Sequence, residues 1–239
     1  MKFLDLTLPT PQQNLACDEA LLDWCGDGRE QEILRFWEPQ QHFIVLGYSN
    51  KTQSAVNLPA CRRANIPILR RCSGGGAVLQ GPGCLNYSLI LKVEDSSPFK
   101  TIDGTTSWVM KRHQRALEPI FGSGIQIQGL SDLALGPWKF SGNAQYRRRR
   151  LLLFHGAFLL ALDIQLMENL LPVPSKAPPY RDGRSHREFL TNLHLSAGVI
   201  KTAIRKSWNA TSRLEDVPWE KIEALARERY SNDRWNFKF

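Results

Sequence analysis

No apolar run in the 239 residues is long enough to span a bilayer, and Asp5 puts an acid where a secretory leader needs a basic head. A cytoplasmic chain with no membrane partner is expected. Cysteine is sparse: Cys17, Cys25, Cys61, Cys72 and Cys84 are odd in number, widely spaced and free of any Cys-x-x-Cys pair. That excludes a disulfide framework and a structural zinc site, so they are read as reduced thiols. The five histidines, His42, His113, His155, His186 and His194, lack metal-ligand spacing. There is no Gly-x-x-x-x-Gly-Lys-Ser/Thr phosphate loop and no Gly-x-Ser-x-Gly elbow, and Gly122-Ser123-Gly124 lacks the third glycine of a dinucleotide fingerprint. Hydrolytic and metal chemistry are not announced. No low-complexity break divides the chain, so one domain over 1–239 with a single sizeable core is expected.

What is abundant is positive charge. A net charge of +8 favours anionic partners, with the densest run at 147–150. Aromatics are not interleaved with that run and no nucleic-acid module is visible, so no nucleic-acid partner is expected.

Leu15, Ala16, Ala20, Leu21 and Trp24, opposed by Asp18, Glu19 and Asp23, predict an amphipathic helix over 14–24 with Asn14 as its cap. Short β-branched or aromatic runs predict strands at 32–37, 42–49 and 66–71, and 85–93 reads as a buried strand. A long helix over 103–121 is expected to be interrupted near its end by Pro119. Strands then follow at 125–128, 132–135, 138–140, 144–154 and 157–163, punctuated by Gly129, Gly136, Gly142 and Gly156. A helix over 166–171, a proline-rich loop over 172–187 and helices over 197–208 and 217–230 complete the chain. The fold class is α+β: mixed or antiparallel sheets flanked by helices.

Two glycine-punctuated segments carry the chemistry. Arg70-Arg71-Cys72-Ser73-Gly74-Gly75-Gly76-Ala77-Val78 follows an apolar strand-like run. Without Cβ atoms its main chain can approach a ligand and present N–H groups to an anion. A hairpin turn with two solvated arginines is the other reading of the same residues. Lys139-Phe140-Ser141-Gly142-Asn143-Ala144-Gln145, followed by His155-Gly156, places an ammonium beside small residues. Such a lysine can clamp a phosphate or carboxylate and stabilise charge on an activated acyl group. A surface lysine before a turn is the alternative.

Taken together and in this order, the segments resemble the lipoate-protein ligase A family of the biotin and lipoate ligase superfamily. Residues 70–78 fit its Arg-Arg-x-Ser-Gly-Gly-Gly-Ala-Val motif, and Gly83, Leu85, Asn86 and Ser88 continue the register. Ser131-Asp132-Leu133, the Lys139 segment and His155-Gly156 are similar to its second motif. Leu190-Thr191-Asn192-Leu193, the opening helix from Asn14 to Ala20, and Trp235-Asn236-Phe237 extend the likeness almost end to end. The resemblance implies a ligase catalytic-domain fold of the class II aminoacyl-tRNA synthetase-like type. It implies an enzyme that uses ATP to turn lipoate or octanoate into an acyl-adenylate, then passes the acyl group to a lysine of a lipoyl carrier domain, of E2-subunit or H-protein type. By the same resemblance Lys139 is the catalytic residue. Arg71, Ser73, Gly74, Gly75, Gly76, Ala77, Asn86, Ser141, Gly142, Ala144, His155 and Gly156 bind the acyl-adenylate, and Asp132 holds Mg²⁺. Net positive charge suits an acidic carrier.

Departures from the family pattern keep other functions open. Gln80-Gly81 replaces His-Asp, and Gly83-Cys84 replaces Gly-Asn. The chain ends at Phe239, so no C-terminal accessory domain is expected; beside adenylation by this chain, adenylation with a separate partner protein and no adenylation at all stay open. Neither cysteine position of the related octanoyltransferases holds a cysteine, which leaves Cys72 and Cys84 as the candidate nucleophiles of a transferase. A non-catalytic acyl- or carrier-binding protein is a third possibility. Pro178-Pro179-Tyr180-Arg181 replaces the family's lysine-rich loop, with Tyr180, Arg181 and Arg187 as its candidate substitutes over the site.

Overall fold

A computed structural model describes residues 1–29, 31–94 and 98–239. Its strands are β1 (Lys2–Asp5), β2 (Ile33–Trp37), β3 (Phe43–Leu46), β4 (Ile68–Arg70), β5 (Val78–Gln80), β6 (Cys84–Lys92), β7 (Ile125–Gln128), β8 (Asp132–Leu135), β9 (Trp138–Arg148), β10 (Leu151–Leu159) and β11 (Ser212–Arg213). Eight form one sheet in the order β11-β1-β2-β6-β10-β9-β8-β7, and three form a second in the order β4-β3-β5. The large sheet is parallel from β11 to β2 and antiparallel from β2 to β7. The expected mixed α+β class is therefore observed.

Alternation along the strands divides the large sheet into two unlike faces. Leu34 and Phe36, Leu85, Tyr87 and Leu89, and Leu152, Phe154 and Phe158 point to one side, where the long helix Ile102–Phe121 and the helix Ala197–Ser207 supply Val109, Met110, Leu117, Ile200 and Ile204. The other side presents Arg35, Trp37, Asn86, Ser88 and His155 toward the helix Pro11–Gly26 and the small sheet. A polar patch on this inner face, continuous with the apolar side chains of Ile33, Ile90 and Leu153, is the setting of the site.

Several boundaries move for identifiable reasons. The first helix starts at Pro11, not Asn14, because Thr10 and Gln13 form a capping box. Asn14 lies inside it, its carboxamide oxygen accepting from Leu8 N–H and from Arg35. Pro119 sits within the last turn of the long helix, which runs on to Phe121 uninterrupted. The segments predicted at 138–140, 144–154 and 157–163 are two long strands, β9 and β10, joined at Arg149 and Arg150. Gly142 and Gly156 are mid-strand residues: a Cβ on Gly156 meets Asn143 Oδ1 at 1.8 Å, so its glycine admits a neighbour rather than a turn. The helix predicted over 217–230 is Trp219–Leu225 continued by a π-turn, Ala226–Tyr230, and a short helix, Asp233–Asn236, follows it. Within the basic run, Arg147 bonds Thr101 O and Thr105 Oγ1, and Arg148 pairs with Asp23, so half of that cluster serves the fold.

Candidate active site

The small sheet delivers the glycine loop. Its central strand β3 pairs parallel with β4 and antiparallel with β5, leaving 71–77 to cross from one edge to the other. Arg70, fully buried, anchors the start: its Nη1 donates to the carbonyls of Gly47, Tyr48 and Asn50, and its Nε to Asn236 O. Arg71 braces the loop from beneath. Its Nε donates to Ser73 Oγ at 2.9 Å, and its Nη2 to Gly74 O at 2.7 Å and Gly76 O at 3.0 Å. Burial lowers this guanidinium to about 10, still well above neutrality. These two nitrogens are spent on the loop, whereas family likeness directs Arg71 at a phosphate. Only the central glycine is demanded by the backbone: Gly75 has φ 93°, and a Cβ there meets Arg71 Nη2 at 2.8 Å. Gly74 and Gly76 are exposed, with nothing within 4 Å of an added Cβ. The outer surface of the loop is thus open to solvent.

Ser73 and His155 meet under the loop, Oγ to Nε2 at 2.6 Å, with His155 Nδ1 4.0 Å from Asp18 Oδ2. Ser73 Oγ accepts from Arg71 Nε, and in the tautomer that carries the ring hydrogen on Nδ1, facing Asp18, the serine hydrogen is donated to Nε2. Burial, aided by Arg71 and opposed by Asp18, pulls His155 down to about 4, so it is neutral at physiological pH. Asp18 is itself held by Arg35 Nη1 at 2.5 Å. Sequence reading places His155 in the site but misses Asp18 and Arg35, which resemble ordinary polar residues of an amphipathic helix and a strand. Three buried polar atoms on this inner face, Arg35 Nε, Trp37 Nε1 and Ser88 Oγ, have no hydrogen-bond partner among the described residues.

Lys139 lies on the strand that the glycine loop touches at Ala144. In a regular strand residues 139 and 142 point to opposite faces, but β9 bulges between its pairings of Lys139 with Ala134 and Ser141 with Leu133. The extra residue turns Lys139 onto the face of Gly142 and Ala144. A Cβ on Gly142 meets Lys139 Nζ at 2.9 Å, and Cβ atoms at Gly75 and Ala144 lie 3.8 Å apart. Two strand residues, about 7 Å, thus separate the loop's contact on β9 from the ammonium's. Lys139 Nζ bonds Asp132 Oδ1 at 2.8 Å with its side chain a quarter exposed, and Tyr180 Oη donates to Asp132 Oδ2 at 2.8 Å.

The remaining expected residues divide. Ala77 packs against an apolar cluster that includes Ile44, Leu46 and Leu79, and Asn86 donates to Gln80 Oε1 at 2.9 Å, so the residue in the family's histidine place has a partner. Ser141 and Gly156 turn away from the groove: Ser141 Oγ lies 3.5 Å from Asn143 Nδ2, and Asn143 fills the space over Gly156. Asn143 bonds both Ser131 O and Tyr87 Oη, and so fixes the turn ahead of Asp132. Cys72 and Cys84 are buried; burial pushes both thiols up, Cys84 to about 12. Neither has the lowered pKa of a nucleophilic thiolate. Among the described residues no three His, Cys, Asp or Glu side chains gather as a metal cage. No helix among the described residues is long and apolar enough to cross a membrane.

Fold and site together define a catalytic domain of the biotin and lipoate ligase type. Residues 10–203 match the sequence model of the lipoyl protein ligase A/B catalytic domain, and the chain belongs to that family. It is 27% identical over 249 residues to lipoate–protein ligase 1 of Staphylococcus aureus, covering 99% of this chain and 73% of that one. It is 26% identical over 272 residues to the octanoyltransferase LipM of Geobacillus kaustophilus, covering 99% and 98%. Among solved structures it resembles the bipartite lipoate protein ligase of Thermoplasma acidophilum, studied with its E2 lipoyl domain, at TM-score 0.80 and 28% identity over 99% of this chain and 96% of that one. A lipoate-protein ligase A bound with ATP follows at TM-score 0.76 and 26% identity over 99% of both. The chain is an enzyme of the lipoate-protein ligase and octanoyltransferase kind.

Proposed function

We propose that this chain is a cytoplasmic lipoate-protein ligase working as one catalytic domain over 1–239. It activates lipoate or octanoate with ATP as acyl-AMP and transfers the acyl group to a lysine of a lipoyl carrier domain. The observation that carries this reading is the placement of Lys139 Nζ over Gly142, on the strand face that the glycine loop touches at Ala144. The acyl chain runs along Gly74–Gly76, where no side chain obstructs it. The Lys139 ammonium stands at the carbonyl end and stabilises the negative charge that develops there, both when the carboxylate attacks the nucleotide and when the carrier amine attacks the adenylate. Ser73 and neutral His155 fix the loop by their mutual bond, and Arg71 keeps its carbonyls turned inward. Lys139 and Tyr180 each use one lone pair on the Asp132 carboxylate, and through the remaining ones it would hold Mg²⁺, which would neutralise charge on the nucleotide phosphates. The ATP-bound and E2-associated relatives support this assignment of substrates and partner. A cysteine-based transferase is disfavoured by the burial of Cys72 and Cys84.

Purified protein given ATP, Mg²⁺ and lipoate or octanoate is expected to release pyrophosphate, form acyl-AMP and add one acyl group to a lipoyl domain by mass. Lys139→Ala should cost roughly 10²–10³ in turnover, the range for losing one charge-stabilising donor. A need for a separate accessory protein is read by repeating the assay with candidates added. Acylation from an octanoyl-carrier thioester without ATP, and none from the free acid with it, would replace the ligase by a transferase.

A further inference from the structure

The loop that stands in for the family's lysine-rich segment enters the site through one side chain. Tyr180 occupies Asp132 Oδ2 while Lys139 occupies Oδ1, so both carboxylate oxygens are held by this chain's own residues. The phenol is not on a loose arm. Its ring lies 5.1 Å from Phe189 and against Gly129, where a Cβ would sit 3.5 Å from Tyr180 Cε1. Gly129, at φ 55°, belongs to the turn that leads into Asp132. Arg181 and Arg184 cover the Phe189 ring at 4.8 and 5.1 Å, and Arg184 Nη2 bonds Tyr180 O at 2.7 Å. The segment that follows seizes the lysine's backbone as well, since Thr191 N–H donates to Lys139 O at 2.9 Å and Leu190 bridges to Lys139.

We propose that Tyr180 is a positioning residue for Lys139: its hydroxyl fixes the rotamer of Asp132, and Asp132 in turn folds the ammonium over Gly142 toward the groove. A carboxylate with one free oxygen can rotate and let a four-carbon side chain swing to solvent; a carboxylate bonded on both sides cannot. This inference rests on the ligase reading only for its kinetic consequence, and the geometric part stands apart from it.

The test is Tyr180→Phe, which keeps the ring contacts and removes one oxygen, beside Asp132→Asn and the double variant. Acyl-AMP formation is measured in each. The reactivity of Lys139 is measured by reductive methylation with formaldehyde and peptide mass spectrometry, using the surface-paired Lys201 as internal standard. Tyr180→Phe is expected to lower kcat about tenfold with KM for ATP and lipoate within about twofold, and to raise Lys139 methylation about threefold. The double variant should lose no more than Asp132→Asn alone, as residues acting in one chain of contacts do. Unchanged Lys139 methylation overturns the proposal, as does a rise in KM at constant kcat, or faster methylation with unchanged kcat. A wild-type protein that forms no acyl-AMP sinks the ligase reading, while the methylation comparison still decides Tyr180.

Discussion

At the scale of residues, the site depends on which groups are charged and which are held. Lys139 is a compact cation bent over a glycine, so Lys139→Arg is expected to fail almost as badly as Lys139→Ala: a guanidinium is longer, planar and unable to occupy the space above Gly142. Turnover within about threefold of wild type for Lys139→Arg, measured by acyl-AMP release, would contradict that role. His155 should titrate near 4 when followed by NMR of the imidazole, because burial and Arg71 both oppose its protonation. An ordinary value near 6.5 would show a ring open to water. Glycine spacing singled out the loop and small neighbours singled out Lys139, and the fold brings the two to one face of β9, at Ala144 and Gly142. Asp18 and Tyr180 were not so marked, since each reaches its partner only through the packing of distant segments. Ser141 and Gly156 were misplaced because the side of a strand on which a residue falls depends on a bulge and a register that spacing does not reveal.

At the scale of elements, glycines separate into those the backbone needs and those the ligand needs. A Cβ on Gly47 falls 2.0 Å from Gly75 O, so Gly47→Ala should push the loop out of place and abolish turnover. Gly74→Ala and Gly76→Ala meet nothing in the fold, so they should melt within about 1 kcal/mol of wild type while weakening lipoate binding at least tenfold. Wild-type lipoate affinity in both variants, measured by calorimetry, would mean that the acyl chain does not run there. The strand pattern was readable wherever a turn glycine has positive φ, as at Gly129 and Gly136. It broke down at Gly156, where glycine makes room for Asn143 inside a strand. The short strands β1, β5 and β11 take their form from pairing across the sheets, not from local propensity.

At the scale of the whole molecule, the two faces of the large sheet have different electrostatic lives. His113, fully buried on the apolar side, accepts from Trp208 Nε1 at 2.9 Å, and burial holds it down to about 3. Its folded value lies below its unfolded one, so the unfolded chain binds more protons between about 3 and 6.5, and the stability this residue confers is complete above that window and lost as pH falls through it. Urea unfolding should weaken by up to about 1.4 kcal/mol per pH unit for this histidine alone, and His113→Gln should flatten the slope. On the polar side, an activated acyl group is expected between the glycine loop and the bulged strand. The most direct measurement is a crystal structure with a non-hydrolysable lipoyl-adenylate analogue. The expected result is an acyl chain along Gly74–Gly76 with Lys139 Nζ about 3 Å from the carbonyl and phosphate oxygens. An analogue bound elsewhere, or Lys139 still closed on Asp132 and away from the ligand, would contradict it.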